Sequence, residues 1–248
     1  MDFFSDLEES RLPFTMPIGI EYSCHWNDNT HAFILRIPNG ELIFAERFFD
    51  TKISDRSVEY FQENDILDWA STDWHQVSSE QLNAICFTHI QWRCDHIKMY
   101  GENIPLPRLT SWYGDAGKSY TYSGITSQPN PWNKGLLYIK GKIEQTTALS
   151  FNSVLLNWYR SGEDHMGWHA DDEQELGKNP VIASVNFGAT RDFVLRRIDD
   201  PTIKIVIPLQ HGTLLVMGGE LQHYWQHSVP KRKKVKDSRF NLTFRSIV

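Results

Sequence analysis

The second half of the chain is a succession of short runs rich in β-branched and aromatic residues, divided by Gly, Pro and Asp. The runs are Phe151 to Tyr159, Val181 to Phe187, Phe193 to Arg196, Ile203 to Ile207, Thr213 to Met217 and Phe240 to Ile247. Six such strands with turn signals between them predict a mainly β fold built as a double-sheet jelly roll. Alternation is strictest from Arg239 to Arg245, where Phe240, Leu242 and Phe244 share one face and Arg239, Asn241, Thr243 and Arg245 the other. Side chains two apart in a strand point the same way, so one face is apolar and the other carries two cations, an amide and a hydroxyl.

Nearer the N-terminus, His31 to Ile37, the turn Pro38-Asn39-Gly40 and the apolar stretch Leu42 to Phe44 predict a β-hairpin. Ser54 as N-cap, with Val58 and Phe61 three apart, predicts a short flanking helix ending near Asn64-Asp65. Between residues 103 and 133 the chain is rich in Pro, Gly, Ser and Tyr, a composition that predicts ordered loops around a site. The expected organisation is an N-terminal extension, residues 1–97, within the same globule as a functional domain at 98–248.

Composition narrows the function classes. With 248 residues the chain can bury roughly 70 to 75% of its unfolded surface without staples. Cys24, Cys86 and Cys94 form no CxxC pair, so neither a disulfide framework nor a thiolate zinc site is expected, and a reducing, cytoplasmic setting fits. The acidic start and the lack of any apolar run of membrane-spanning length predict a protein that is neither secreted nor membrane-bound, and a monomer is expected. A formal net charge of -6 argues against a generic nucleic-acid coat, since phosphate binding is driven by Lys and Arg. One local basic run stands out, Lys231-Arg232-Lys233-Lys234-Val235-Lys236, directly after His227-Ser228-Val229-Pro230. Taken alone, such a run is a solvated loop.

His169-Ala170-Asp171 is the most informative feature. In an extended chain His169 and Asp171 present an imidazole and a carboxylate to one point, and His227 lies 58 residues on (227 − 169), far enough for the chain to cross a barrel and return. Two histidines and one carboxylate leave the opposite face of a metal open, as non-haem Fe(II) oxygenases require. Zinc-hydrolase spacing does occur at His165/His169 and His223/His227, but Gly162, Gly167 and Trp168 make a poor helix and Pro230 follows the second pair. The polar face of Arg239 to Arg245 suits a small dicarboxylate, because guanidinium forks grip carboxylates bidentately. Asn157 and Tyr159 share a strand face just upstream and offer further hydrogen bonds.

Asn157-Trp158-Tyr159, His169-Ala-Asp171-Asp-Glu173, His227-Ser-Val-Pro230 and Arg239-Phe-Asn-Leu-Thr-Phe-Arg245, in this order and spacing, resemble the AlkB family of Fe(II)/2-oxoglutarate dioxygenases from about Tyr100 to the C-terminus. The resemblance implies a cupin-like double-stranded β-helix. It implies iron on His169, Asp171 and His227, and 2-oxoglutarate held by Asn157, Tyr159, Arg239, Thr243 and Arg245, with Asn241 beside them. The co-substrates would be 2-oxoglutarate and O2, and the activity oxidative removal of alkyl groups from bases with release of succinate, CO2 and formaldehyde. Tyr113-Gly-Asp-Ala-Gly117, Ser119 to Gly124 and the basic run look most like the homologue that prefers duplex DNA. By that likeness Tyr120 and Tyr122 contact the base and Tyr100-Gly101-Glu102 occupies a hairpin that fills the gap left by a flipped base. Arg232, Lys233 and Lys234 then meet the nucleic-acid backbone.

A base methylated at adenine N1 or cytosine N3 is cationic, so tyrosine faces and the carboxylates of Asp172 and Glu173 would select it, and it must leave the stack to reach a buried metal. The expectation is therefore a repair dioxygenase acting on alkylated DNA, duplex favoured, where the DNA is. The near alternatives are a demethylase of RNA or a hydroxylase of protein side chains. A non-catalytic nucleic-acid-binding jelly roll is the distant one, against which the intact metal and arginine motifs argue.

Overall fold

The structure, a computed structural model, describes residues 12–99, 102–118, 120–122 and 125–248, and gives the backbone alone at 97–99, 102, 103, 120–122 and 125–127. Strands β1 (Ser23–Asn27), β2 (Ala32–Ile37) and β3 (Gly40–Ala45) precede helices α1 (Thr51–Gln62) and α2 (Ser79–Ala84). Then come β4 (His96–Met99), β5 (Glu102–Pro105), β6 (Leu109–Gly114), β7 (Tyr120–Tyr122), β8 (Ile125–Ser127) and α3 (Lys134–Thr147). The rest forms β9 (Ser153–Tyr159), β10 (Met166–His169), β11 (Ile182–Gly188), β12 (Arg191–Arg197), β13 (Lys204–Leu209) and β14 (Leu214–Gly218). The one-turn helix α4 (Leu221–Tyr224), β15 (Trp225–Val229) and β16 (Arg239–Arg245) complete it.

Eight strands form one sheet in the order β1-β2-β3-β14-β11-β16-β9-β6, and four form a second, β10-β15-β12-β13. One apolar cluster joins the two sheets, with Leu42, Phe44, Ile182, Leu215 and Met217 of the first meeting Phe193, Leu195, Ile205, Ile207 and Val229 of the second. A separate cluster covers the outer face of the large sheet, where Phe240, Leu242, Phe244 and Trp158 pack with Phe61 of α1 and Leu136, Ile139 and Ile143 of α3. The expected jelly roll is therefore present, with a layer of helices on its back. Being enclosed on both sides, β16 is buried at every residue from Arg239 to Arg245. Its polar face does not meet solvent; it lines the space between the sheets.

Several local expectations change. The β2–β3 hairpin forms as predicted, with Asn39 in the left-handed region at φ 60, which asparagine tolerates better than most residues. Helix α1 begins a turn earlier than its sequence suggests, because Asp50 caps it by accepting the Ile53 N–H at 2.8 Å. Ser54 is then an interior, fully buried helix residue. Asp and Ser are both good N-caps, and starting at Asp50 lets Phe49 join the core.

Residues 103–133 are not mainly loops. They contain β6, buried along its whole length and paired to β9, and the β7–β8 hairpin. Pro107 and Gly114 bracket or end this strand rather than break it, and composition alone does not separate the two cases. Helix α3 has sequence signals of its own: Asn133 accepts the Leu136 N–H, and Leu136, Ile139 and Ile143 recur at helical spacing.

Candidate active site

Strands β10 and β15 lie antiparallel at the edge of the small sheet, with His169 directly across from His227. Neither strand has a long apolar run, so neither stood out in the sequence, and neither histidine lies on a helix that could make the zinc-hydrolase pairs. Asp171 follows β10 by two residues, and the donor atoms of His169, Asp171 and His227 all lie within 4.8 Å of one another. His169 Nε2 is 3.8 Å from Asp171 Oδ1, and His227 Nε2 is 3.9 Å from Asp171 Oδ2. These separations are too long for hydrogen bonds and short enough to share one ion.

Neighbouring groups aim the donors. His169 Nδ1 sits 3.0 Å from the Gly167 carbonyl, so a proton on Nδ1 donates there and leaves the Nε2 lone pair for a metal. The His227 ring stacks on Phe193 with centroids 5.0 Å apart. Gln222 Oε1 accepts the Asp171 N–H at 3.0 Å and thereby fixes the backbone of the carboxylate donor. Asp171 Oδ1 is buried with no hydrogen-bond partner among the described residues. Buried polar atoms are seldom left so, and a cation bound between the three donors fits this arrangement.

Electrostatics agree. Burial pushes the Asp171 carboxyl up, but the Arg245 guanidinium, 3.0 Å away, and both histidines outweigh it and hold the group ionised well below the usual carboxylate range. Burial, reinforced by His169, pushes His227 down to about 3 despite Asp171. At neutral pH the trio therefore offers a carboxylate and an imidazole ready to coordinate.

A cavity between the sheets opens on this trio. Asn157, Tyr159, Asn241, Thr243 and Arg245 line it, with Met166, Phe193, Met217 and Val229 as its apolar wall. Arg245 stands at the metal end through its bond to Asp171. Arg239 does not line the cavity itself: its guanidinium donates to Asn186 Oδ1 and packs over Tyr159, 5.0 Å from the ring centroid. Burial pushes this guanidinium down to about 10, and its Nε and Nη1 have no acceptor among the described residues. Arg239 and Asn186 are thus a cation and an amide behind Tyr159, whose ring lines the cavity. The donor set fits 2-oxoglutarate as well as iron.

Three supporting residues carry no local signal in the sequence. Arg108 Nε donates to Asn157 Oδ1 at 2.8 Å, and Arg191 reaches over Tyr159 at 5.8 Å from the ring centroid. With Gln222, these act through partners distant in sequence. Asn241 donates to Ser184 Oγ at 2.8 Å and accepts from Thr243 Oγ1 at 3.2 Å, so it braces the strand face.

On the substrate side, Asp172 is exposed and Glu173 half-buried just beyond the metal donors. Tyr100 and Gly101 lie outside the described residues. Strands β4 and β5 pair antiparallel, with Met99 opposite Glu102. The side chains of Glu102, Tyr120 and Tyr122 also lie outside the description. In the basic run Arg232, Lys233 and Lys234 are exposed, yet Arg232 Nε donates to Asp192 Oδ2 at 2.8 Å.

A model of the 2OG-Fe(II) oxygenase superfamily matches residues 68–245. The chain is 49% identical over 150 residues to the alpha-ketoglutarate-dependent dioxygenase alkB homolog 3 of Bos taurus, covering 57% of this chain and 52% of that protein. It is 45% identical over 159 residues to the human DNA oxidative demethylase ALKBH2, covering 61% of each. To the Arabidopsis thaliana protein of the same name it is 38% identical, covering 97% of this chain and 77% of the relative. The chain thus spans about half the length of the alkB homolog 3 relatives it matches.

Proposed function

The chain belongs to the 2OG-Fe(II) oxygenase superfamily, and from that membership we propose that it is a repair dioxygenase that demethylates 1-methyladenine and 3-methylcytosine in DNA. The observation that carries this reading is the buried donor trio His169, Asp171 and His227 at one end of a cavity whose polar wall is Asn157, Tyr159, Thr243 and Arg245. Likeness to relatives named DNA oxidative demethylase supports the choice of substrate. Fe(II) with 2-oxoglutarate and O2 supplies the oxidising power to hydroxylate an N-methyl carbon, after which the hemiaminal breaks to the repaired base and formaldehyde, with succinate and CO2 as co-products.

The protein's own residues do the rest. Arg245 keeps Asp171 ionised and, with Arg239 at the far end, sets the direction in which a dicarboxylate lies. The apolar wall of Met166, Phe193 and Val229 excludes water from the reacting side. Asp172 and Glu173 put negative charge beside the metal donors, where it favours a cationic methylated base over a neutral one. Lys233 and Lys234 face the nucleic-acid backbone, and the β4–β5 hairpin supports a duplex as the preferred form.

The test is incubation of the protein with Fe(II), 2-oxoglutarate and methylated duplex DNA, single-stranded DNA and RNA. Demethylation of the DNA with stoichiometric succinate is expected, fastest on the duplex. Neither demethylation nor succinate on any nucleic acid would remove the repair reading.

A further inference from the structure

The basic run leaves β15 and returns to β16 as a loop with no regular structure of its own, yet the fold holds it at three points. Its backbone is laced to the loop after β9: the Gly162 N–H donates to the Val235 carbonyl and the Arg232 N–H to the Gly162 carbonyl, both at 2.8 Å. A Cβ on Gly162 would stand 1.7 Å from the Arg232 carbonyl oxygen, so only glycine permits this approach. From below, the buried guanidinium of Arg191 donates to the Pro230 carbonyl at 2.7 Å and to those of Ser161 and Asp164 at 3.0 and 2.9 Å. From the side, the carboxylate of Asp192 takes the Arg232 guanidinium.

We propose that Gly162, Arg191 and Asp192 are positioning residues that mount this loop, so that Arg232 serves as its anchor and Lys233 and Lys234 are presented to the nucleic-acid backbone. The inference rests on the proposed role of the loop in nucleic-acid binding. Charge supports it: Lys231 lies 3.8 Å from Glu163 and Arg232 is held by Asp192, whereas Lys233 and Lys234, like Lys236 further on, are exposed and, among the described residues, in no ion pair. An untethered lysine pair would bind any polyanion in many orientations. A mounted one fixes the duplex at a set distance from the metal trio.

The sign of one substitution separates a mount from simple charge. Asp192→Asn deletes a negative charge beside the loop, which by electrostatics alone strengthens duplex binding. If Asp192 is part of the mount, the substitution instead weakens binding of an unmodified duplex about 3-fold, in the range expected of one half-exposed ion pair. The reversed pair, Asp192→Arg with Arg232→Asp, restores most of the loss.

Gly162→Ala should weaken binding about 10-fold and flatten its salt dependence, because displaced lysines no longer meet phosphates together. Affinity for 2-oxoglutarate in the same variants should stay within about 2-fold. Circular dichroism checks that each folds. The control is Lys233→Ala with Lys234→Ala. If that pair leaves the salt slope unchanged, the loop does not bind nucleic acid and both ideas fall. If it flattens the slope while Asp192→Asn and Gly162→Ala bind as well as or better than the parent, the mount alone is overturned.

Discussion

His169 and His227 stand opposite each other across the β10–β15 ladder, with ring centroids 4.2 Å apart and planes inclined by 61°. The two donors therefore come from one rung of a sheet, and strand pairing delivers the second to the first. Their surroundings differ: the His169 side chain is 21% exposed, His227 only 6% and stacked on Phe193.

Replacing each by alanine should separate metal binding from stability. His169→Ala is expected to abolish succinate formation while melting within about 0.5 kcal/mol of the parent, as for a surface substitution. His227→Ala should abolish turnover and also lower stability by about 1–3 kcal/mol through the void left against Phe193. Thermal melts in the presence of a chelator measure the difference.

Arg239→Met should raise the KM for 2-oxoglutarate by about 10- to 100-fold, the loss of roughly 1.5–3 kcal/mol from a charged hydrogen bond, while kcat at saturation changes far less. The same variant should be no less stable without ligands, since burial already pushes this guanidinium down to about 10 and the parent hides an uncompensated charge. Steady-state kinetics and a melt of the ligand-free protein check the two halves. A marked drop in melting temperature would mean that Arg239 chiefly supports the fold.

The metal-free protein should lose stability on acidification from pH 7 to 5. Folded His227 takes up a proton only near pH 3 against an ordinary 6.5, so between those values the unfolded chain binds the proton that the folded one refuses. Asp171, also depressed, adds its own loss only as pH falls through the ordinary carboxylate range near about 4. Melting temperature against pH, in chelator, should therefore fall in two stages, and His227→Gln should remove the earlier one.

Gln222→Leu should lower iron affinity about 10-fold, because the Asp171 N–H loses its acceptor and the carboxylate donor its fixed backbone. Competition with a coloured chelator measures this. An unchanged affinity would show that Arg245 alone orients Asp171.

What could be read from the sequence was what repeats or clusters along the chain. The period of two in Arg239 to Arg245 revealed both faces of β16, and the closeness of His169 to Asp171 revealed two donors. The burial of β16 on both sides was hidden, because it depends on helix α3 arriving from a segment that reads as loops up to its N-cap. Arg108, Arg191 and Gln222 were hidden for a related reason: each is an ordinary polar residue until sheet pairing brings it to Asn157, Tyr159 or Asp171. With Asp50 rather than Ser54 as cap, the preceding Phe49 is buried, and no local pattern expresses that burial.

Strand β16 carries the ligand-facing and the core-facing side chains on alternate residues of one seven-residue strand, flanked by β11 and β9. A slip of a single residue against either neighbour would drive Arg239 and Arg245 among the aromatic rings and turn Phe240 and Phe244 toward the cavity beside His169, Asp171 and His227. Such a chain could neither pack nor hold its co-substrate. Occupancy by a small acid therefore reports that this strand is correctly threaded.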